Sequence, residues 1–207
     1  PRCYQPDPSD HGVVYVEALG EAAFIGRARV VPLRNMGAAL SPMNAFLILQ
    51  GIETLGLRME RHCVNGLAVA RYLKDHDKVA WVNFAGLESD QDHALSKRYM
   101  DGGVPASILS FGIEGGREAG ARFIDALLLI KRLVNIGDAK SLARHPATTT
   151  HRQLDEAQLN TAGASADLVL LSLGIVHLAD LLAALAHASP PFLHFPSPRI
   201  SARLPHG

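Results

Sequence analysis

The stretch SPMNAFLILQGIETLGLRMERHCVNGLAVARYLK, residues 41–74, predicts the longest helix of the chain. Ser41 is a favourable N-cap because its hydroxyl accepts a hydrogen bond from an orphan backbone N–H, and Pro42 suits the first helical position, where no N–H is needed. Apolar residues then recur every three or four positions, which is the helical period. A helix of this length typically bridges two layers or domains. Three glycines weaken it by about 1 kcal/mol each relative to alanine, so close packing or a kink is expected at Gly51, Gly56 and Gly66.

Strand-like and helical segments alternate after this helix. The apolar patterns predict strands at residues 79–84, 106–113 and 168–173, and helices at residues 90–100, 115–131, 152–159 and 177–188. Such alternation predicts an α/β or α+β sandwich with helices on one face of the sheet. Before the long helix, a short helix at residues 17–29 is expected between strand-like runs at residues 13–16 and 30–33.

Composition limits the classes of partner. With 207 residues and 48% hydrophobic residues the chain can bury a core. Twenty acidic and twenty basic residues give no net charge, which argues against nucleic acid or an anionic membrane as a partner. The apolar runs are too short to cross a bilayer. Without a signal peptide or a disulfide framework, the cytoplasm is the expected compartment. The first residue is not Met and the first ten residues hold three prolines, so we expect a processed chain or a fragment.

Residues 133–151, LVNIGDAKSLARHPATTTH, form a polar stretch between two hydrophobic blocks. Loops carry function more often than the elements they join, so this stretch is the first candidate for a site. Its three consecutive threonines have a simpler interpretation as a β-branched strand with surface hydroxyls. His145 and His151 are six positions apart, a poor fit to zinc-ligand spacing, and local hydrogen bonds are the favoured interpretation.

Two other patterns are weaker candidates for a binding or catalytic site. Residues 112–120, GIEGGREAG, resemble a phosphate-binding loop but lack its Lys-Ser/Thr pair, so a strand-to-helix turn is favoured. A Schiff-base lysine needs a desolvated setting. Four of the five lysines stand at polar helix ends or turns, and Lys140 is expected to form an exposed ion pair with Asp138.

Three segments carry a family resemblance: residues 37–58, GAALSPMNAFLILQGIETLGLR; residues 6–15, PDPSDHGVVY; and residues 135–151, NIGDAKSLARHPATTTH. Together they resemble the transsulfuration family of pyridoxal 5'-phosphate (PLP) enzymes. Gln50 and Glu53 resemble its O-acetylhomoserine sulfhydrylase branch. The resemblance extends over about residues 5–188.

The resemblance implies an α/β architecture, the type I PLP-dependent transferase (aspartate aminotransferase-like) fold, present as a C-terminal portion. Residues 1–60 would be the end of the large cofactor domain, residues 61–74 a bridging helix and residues 75–188 the small C-terminal domain. The proline-rich residues 189–207 have no counterpart in the resemblance, and we expect a disordered tail there.

The implied cofactor is PLP, an electron sink held on a lysine. The implied reaction takes acetate from O-acetylhomoserine and adds sulfide or a thiol, giving homocysteine or methionine. A homo-oligomer, dimer or tetramer, is also implied. The Schiff-base lysine, the pyridinium carboxylate and the phosphate-binding residues would lie upstream of Pro1, so the isolated chain is expected to be inactive.

By the same resemblance, the chain would hold one wall of the substrate pocket. The resemblance implies substrate contacts from Ser141, Asn135 and Thr150, with Ser141 donating to the substrate carboxylate. It implies an arginine for that carboxylate before residues 171–174, where this chain has Leu170. The alternatives are a non-catalytic pseudoenzyme fragment that pairs with a full-length homologue, and a decayed gene product without function.

Overall fold

A computed structural model describes residues 2–188. The chain divides after Thr54 into two compact units. The predicted domain limits at residues 60, 74 and 188 stay predictions, and the predicted disordered tail lies outside the described residues. Between residues 2 and 188 no helix is both long enough and apolar enough to cross a membrane.

The first unit is built from short helices: α1 (Tyr15–Leu19), α2 (Ala23–Ala28), α3 (Arg34–Met36) and α4 (Pro42–Glu53), with a π-helical turn at Arg29–Leu33 and 3-10 turns at Pro8–Asp10 and Gly20–Ala22. The predicted strands at residues 13–16 and 30–33 were therefore wrong. Strand preference depends on neighbouring strands to pair with. In the described part of this unit the β pairing is an isolated bridge between Asp7 and Val13, whereas Val16, Val30 and Val31 lie in helical turns, which satisfy their own backbone.

The predicted long helix is two helices. The start is as expected, because Ser41 Oγ accepts from Asn44 N at 3.2 Å and Pro42 occupies the first turn. At Thr54 the backbone leaves helical geometry, with φ −102° and ψ 6°, and α5 (Leu55–Lys74) follows. Gly51 and Gly56 flank the break, and their low helix propensity reduces the cost of interrupting the helix there.

The second unit contains a five-stranded sheet in the order β1-β2-β5-β4-β3. Its strands are β1 (Val79–Asn83), β2 (Ile108–Ile113), β3 (Lys131–Arg132), β4 (Leu142–Arg144) and β5 (Leu168–Ser172). The β1–β2, β2–β5 and β4–β5 pairs are antiparallel, whereas β3 and β4 are parallel. The three longer strands confirm the predicted segments, and the mixed sheet agrees with the α/β fold class.

The helices of this unit are α5, α6 (His93–Tyr99), α7 (Gly116–Ala126), α8 (Glu156–Thr161) and α9 (Leu178–His187), with 3-10 turns at Asp101–Gly103 and Pro146–Thr148. Helix α7 ends five residues before the predicted limit, because Leu127 turns to extended backbone. The 3-10 turn over Pro146–Thr148 replaces the strand considered for the threonines.

One core joins helices α5, α7 and α9 to a single face of the sheet, as predicted. Strand residues in this core alternate along the chain, so the residues between them face the other side of the sheet. The core members include Val69, Leu73, Leu109, Phe111, Phe123, Ala143, Val169, Leu171 and Leu185.

Candidate functional site

The chain that leaves β5, residues 173–176, is held by two polar side chains of α5. His62 Nδ1 lies 2.6 Å from Leu173 O, so this nitrogen is the donor and the proton is assigned to Nδ1. Asn65 Nδ2 donates to Gly174 O at 2.8 Å and to Val176 O at 2.9 Å. Both side chains are almost completely buried, so they fix the 173–176 segment against the helix.

Sequence reasoning missed His62 and Asn65. Both lie on the buried face of α5, where Asn65 is four positions before the apolar Val69 and His62 is seven positions before it, in step with the helical repeat. Polar residues on an apolar helix face need partners when buried, and this was the available signal. Two of their atoms, His62 Nε2 and Asn65 Oδ1, are buried without a hydrogen-bond partner among the described residues.

Ser141 contacts the same segment from the other side. Its side chain is 1% exposed, and its Oγ accepts a hydrogen bond from Gly174 N at 2.9 Å. Gly174 lies so close to the backbone of Ala139 and Lys140 that a Cβ would overlap it. Ile175 N also donates to Ala139 O at 3.1 Å. The polar stretch 133–151 is therefore fastened to the end of β5 at Ser141 and Ala139.

Asn135, the second predicted substrate residue, is exposed and lies in the irregular segment between β3 and β4. Its Oδ1 accepts from Ile136 N at 2.9 Å, and its Nδ2 donates to Asp138 Oδ2 at 3.3 Å. Asp138 also accepts from Lys140 N at 2.9 Å, and this backbone hydrogen bond is the main reason that the pKa of Asp138 is lowered. The predicted ion pair of Lys140 with Asp138 is present at 3.4 Å.

Thr150, the third predicted residue, is also exposed, and its Oγ1 is 2.8 Å from His151 Nδ1. The neighbouring His145 is fully buried. Its Nε2 donates to Ala166 O and its Nδ1 faces Thr148 Oγ1, both at 2.9 Å. These contacts confirm that the two histidines hydrogen-bond locally. Of the three predicted residues, Asn135 and Thr150 thus face solvent and Ser141 does not.

A shallow pocket of about 340 Å³ opens beside the 173–176 segment. It is lined by Leu57, Arg58, Arg61, Ile175 and His177. Two arginines on its wall favour an anionic group there.

Arg144 is a further residue that the sequence analysis did not predict as part of a site. It lies on β4 directly opposite Leu170 of β5, in the register of the antiparallel pair. Its side chain is partly buried, and its Nε is buried without a hydrogen-bond partner among the described residues. The signal was an arginine within a short, otherwise apolar strand.

The lysines of this chain do not fit a Schiff-base partner for PLP. A reactive lysine of that kind is desolvated among apolar or cationic groups. All five are exposed, and four of them are engaged: Lys78 with Glu114, Lys140 with Asp138, Lys74 with Ser89 and Lys131 with the carbonyl of Leu128. Lys97 stands exposed in the last turn of α6.

Known proteins similar to this chain agree on one family. The model of the family described as Cys/Met metabolism PLP-dependent enzyme matches residues 11–189. The O-acetyl-L-homoserine sulfhydrylase of Leptospira meyeri is 47% identical over 192 residues, which is 89% of this chain and 43% of that protein. O-acetyl-L-homoserine sulfhydrylase 1 of Thermus thermophilus is 46% identical, over 91% of this chain and 44% of that protein.

Solved structures agree with these relatives. A protein described as an O-acetylhomoserine (thiol)-lyase from Campylobacter jejuni, solved with N'-pyridoxyl-lysine-5'-monophosphate, superposes with a TM-score of 0.79 at 39% identity. The match covers 90% of this chain and 44% of that one. The O-acetylhomoserine sulfhydrylase of Wolinella succinogenes superposes with a TM-score of 0.68 at 35% identity, over 84% of this chain and 46% of that one. The chain thus spans less than half the length of the relatives it matches.

Proposed function

Because the chain belongs to the family of Cys/Met metabolism PLP-dependent enzymes, we propose that it forms part of an O-acetylhomoserine sulfhydrylase. The reaction breaks the Cγ–O bond of O-acetylhomoserine, releases acetate and forms a Cγ–S bond to sulfide or a thiol. The products are homocysteine or methionine. The observation that carries the proposal is the 47% identity to a sulfhydrylase across 89% of this chain.

The proposed contribution of this chain is a wall of the substrate pocket. PLP supplies the electron sink when bound, and the lysine that holds it is expected from polypeptide outside these residues. Asn135 and Thr150 are the proposed contacts to the amino-acid substrate, since both are polar and exposed. Ser141 holds Gly174 and so shapes the wall. Its direct donation to the substrate carboxylate stays a prediction.

Turnover of the complete gene product tests the activity. With PLP, O-acetylhomoserine and sulfide, we expect release of acetate and formation of homocysteine, and Asn135→Ala should raise the KM for O-acetylhomoserine. Asn160→Ala is the matched control, because Asn160 on α8 is also an exposed asparagine. The proposal fails if the complete protein, loaded with PLP, releases no acetate.

The 207-residue chain alone provides a second test. Mixed with PLP and borohydride, it should give no stoichiometric label on one specific lysine, because all five lysines are exposed. Mass spectrometry of the digested chain locates any label. Stoichiometric trapping on a single lysine would show that the chain carries its own attachment site.

A second candidate is a non-catalytic module that associates with a full-length homologue. Helix α4 favours it, because several large apolar side chains of this helix are more than half exposed: Met43, Phe46, Leu47, Ile48, Leu49 and Ile52. Such exposure typically marks an interaction surface. Co-purification with a homologue, lost in Phe46→Glu, combined with no turnover of its own, would favour this candidate over the enzyme.

A further inference from the structure

A row of four residues crosses the sheet at the level of Leu170. Asn83 of β1 lies opposite Ser110 of β2, Ser110 lies opposite Leu170 of β5, and Leu170 lies opposite Arg144 of β4. Residues directly opposite in antiparallel pairs have their side chains on one face, with Cβ atoms about 4.5–5.5 Å apart. The four side chains therefore share one face of the sheet.

This face is opposite to the one on which α5, α7 and α9 pack. The residues that flank the row along the strands belong to the helix-covered core, so the row itself faces away from the core. Ser110, Leu170 and Arg144 are partly buried, and Asn83 is exposed. The flanking core residues are Leu109, Phe111, Ala143, Val169 and Leu171.

Arg144 has a buried hydrogen-bond donor for which no described residue supplies an acceptor. A guanidinium stays charged in proteins and offers five N–H donors in a planar fork. Its Nε is buried, yet no described residue accepts a hydrogen bond from it. A buried donor left unsatisfied costs about 1–3 kcal/mol, and more when it is charged. A planar anion could accept two parallel hydrogen bonds from the guanidinium, and a carboxylate is such an anion.

We propose that Arg144 binds the α-carboxylate of the amino-acid substrate. The inference rests on the proposed function for the identity of the substrate. Arg144 presents its cation next to Leu170, the position at which the family resemblance implies the carboxylate-binding arginine. The guanidinium of Arg144 therefore lies on the same face of the sheet as the Leu170 side chain, on the neighbouring strand. Leu170 then supplies apolar contact beside the carboxylate and no hydrogen bond.

Binding to the 207-residue chain tests this without turnover. The probes are L-methionine, which carries the α-carboxylate, and L-methioninamide, which lacks its charge. The readout is the Nε–H NMR signal of Arg144 in the labelled chain, assigned by its loss in Arg144→Gln. We expect a saturable shift with L-methionine and binding of the amide weaker by about tenfold or more, as expected for a charge-assisted pair. No shift with L-methionine, or an equal shift with the amide, overturns the proposal.

Variants of the complete protein provide the second readout. Arg144→Gln should raise the KM for O-acetylhomoserine by about tenfold or more and leave the KM for sulfide unchanged. Arg144→Lys keeps the charge but loses the fork, so its KM should be intermediate. The exchange Arg144→Leu with Leu170→Arg should restore binding. Arg122→Gln, which alters an exposed arginine on α7, is the control.

The outcomes separate the two proposals. If the complete protein is an active sulfhydrylase and Arg144→Gln, folded by circular dichroism, keeps its KM, the role of Arg144 is excluded and the proposed function stands. If the complete protein has no sulfhydrylase activity but the Arg144 signal still shifts with L-methionine and less with the amide, carboxylate binding stands and the proposed function fails.

Discussion

Ser141 Oγ accepts a hydrogen bond from the backbone N–H of Gly174 at 2.9 Å, and both residues are buried. The contact ties the loop before β4 to the end of β5, 33 positions further along the chain. A residue that the family resemblance connects with substrate therefore has a structural partner as well. Changes at Ser141 are expected to alter stability as well as binding.

Replacing Ser141 by alanine should lower the free energy of unfolding by about 1–3 kcal/mol, because Gly174 N would remain buried without an acceptor. Urea unfolding of the chain measures this. Ser89→Ala is the control, since Ser89 is exposed, and its effect should stay within about 0.5 kcal/mol. Equal stability of the two variants would mean that the Ser141–Gly174 bond does not hold the loop.

Gly174 and Gly56 should respond oppositely to alanine. A Cβ at Gly174 would overlap the backbone of Ala139 and Lys140, so Gly174→Ala should destabilise the protein by about 1–3 kcal/mol. A Cβ at Gly56 meets nothing within 4 Å, and this residue lies in α5. Gly56→Ala should therefore stabilise by up to about 1 kcal/mol. Thermal and urea unfolding of both variants check the signs, and a neutral Gly174→Ala would contradict the close approach.

Asn65→Leu should be among the most damaging changes in α5. The amide donates to the buried carbonyl of Gly174 and to the partly buried carbonyl of Val176, and a buried carbonyl left unpaired costs about 1–3 kcal/mol. Asn65→Asp keeps the shape but replaces the donor by an acceptor, so it should destabilise as well. Urea unfolding measures both variants, with Asn160→Leu at an exposed position of α8 as the control. Stability of Asn65→Leu equal to that of the control would show that these bonds do not hold the segment.

The stability of the protein should depend on pH through His145. Burial lowers the pKa of this imidazole from its usual 6.5, and the hydrogen bond to the Ala166 carbonyl opposes the shift only in part. Between the lowered pKa of the folded state and the usual pKa of the unfolded state, the unfolded state therefore binds more protons than the folded state. The stabilising contribution is complete above about pH 6.5 and falls as the pH drops from there towards the lower folded pKa.

Urea unfolding between pH 4.5 and 7.5 (about the range set by the usual histidine pKa) measures this dependence. His145→Gln should flatten the slope, whereas His151→Gln leaves His145 in place and should keep it. An unchanged slope in His145→Gln would assign the pH dependence to other groups.

Much of the second unit could be predicted from local pattern. The segment that became β1 alternates, those that became β2 and β5 are β-rich or continuously apolar runs, and α9 has a helical pattern. The first unit shows where pattern fails. Residues 30–33 are apolar and begin with two β-branched valines, yet they lie in the π-helical turn Arg29–Leu33, because no neighbouring strand is described that would pair with them. The break at Thr54 also escaped prediction, since the helical period continues through it.

The sequence by itself determined the family, the alternation of strands and helices, and the helix start at Ser41, because these depend on residues that are close together in the chain. Only the tertiary structure decided that Asn65 holds Gly174, 109 positions away, that Ser141 is buried, and that Arg144 lies opposite Leu170. Strand register and burial arise from contacts between distant segments, and a register shift of one residue would turn Arg144 to the other face. That register places the guanidinium of Arg144 beside the leucine that stands where the family resemblance implies an arginine.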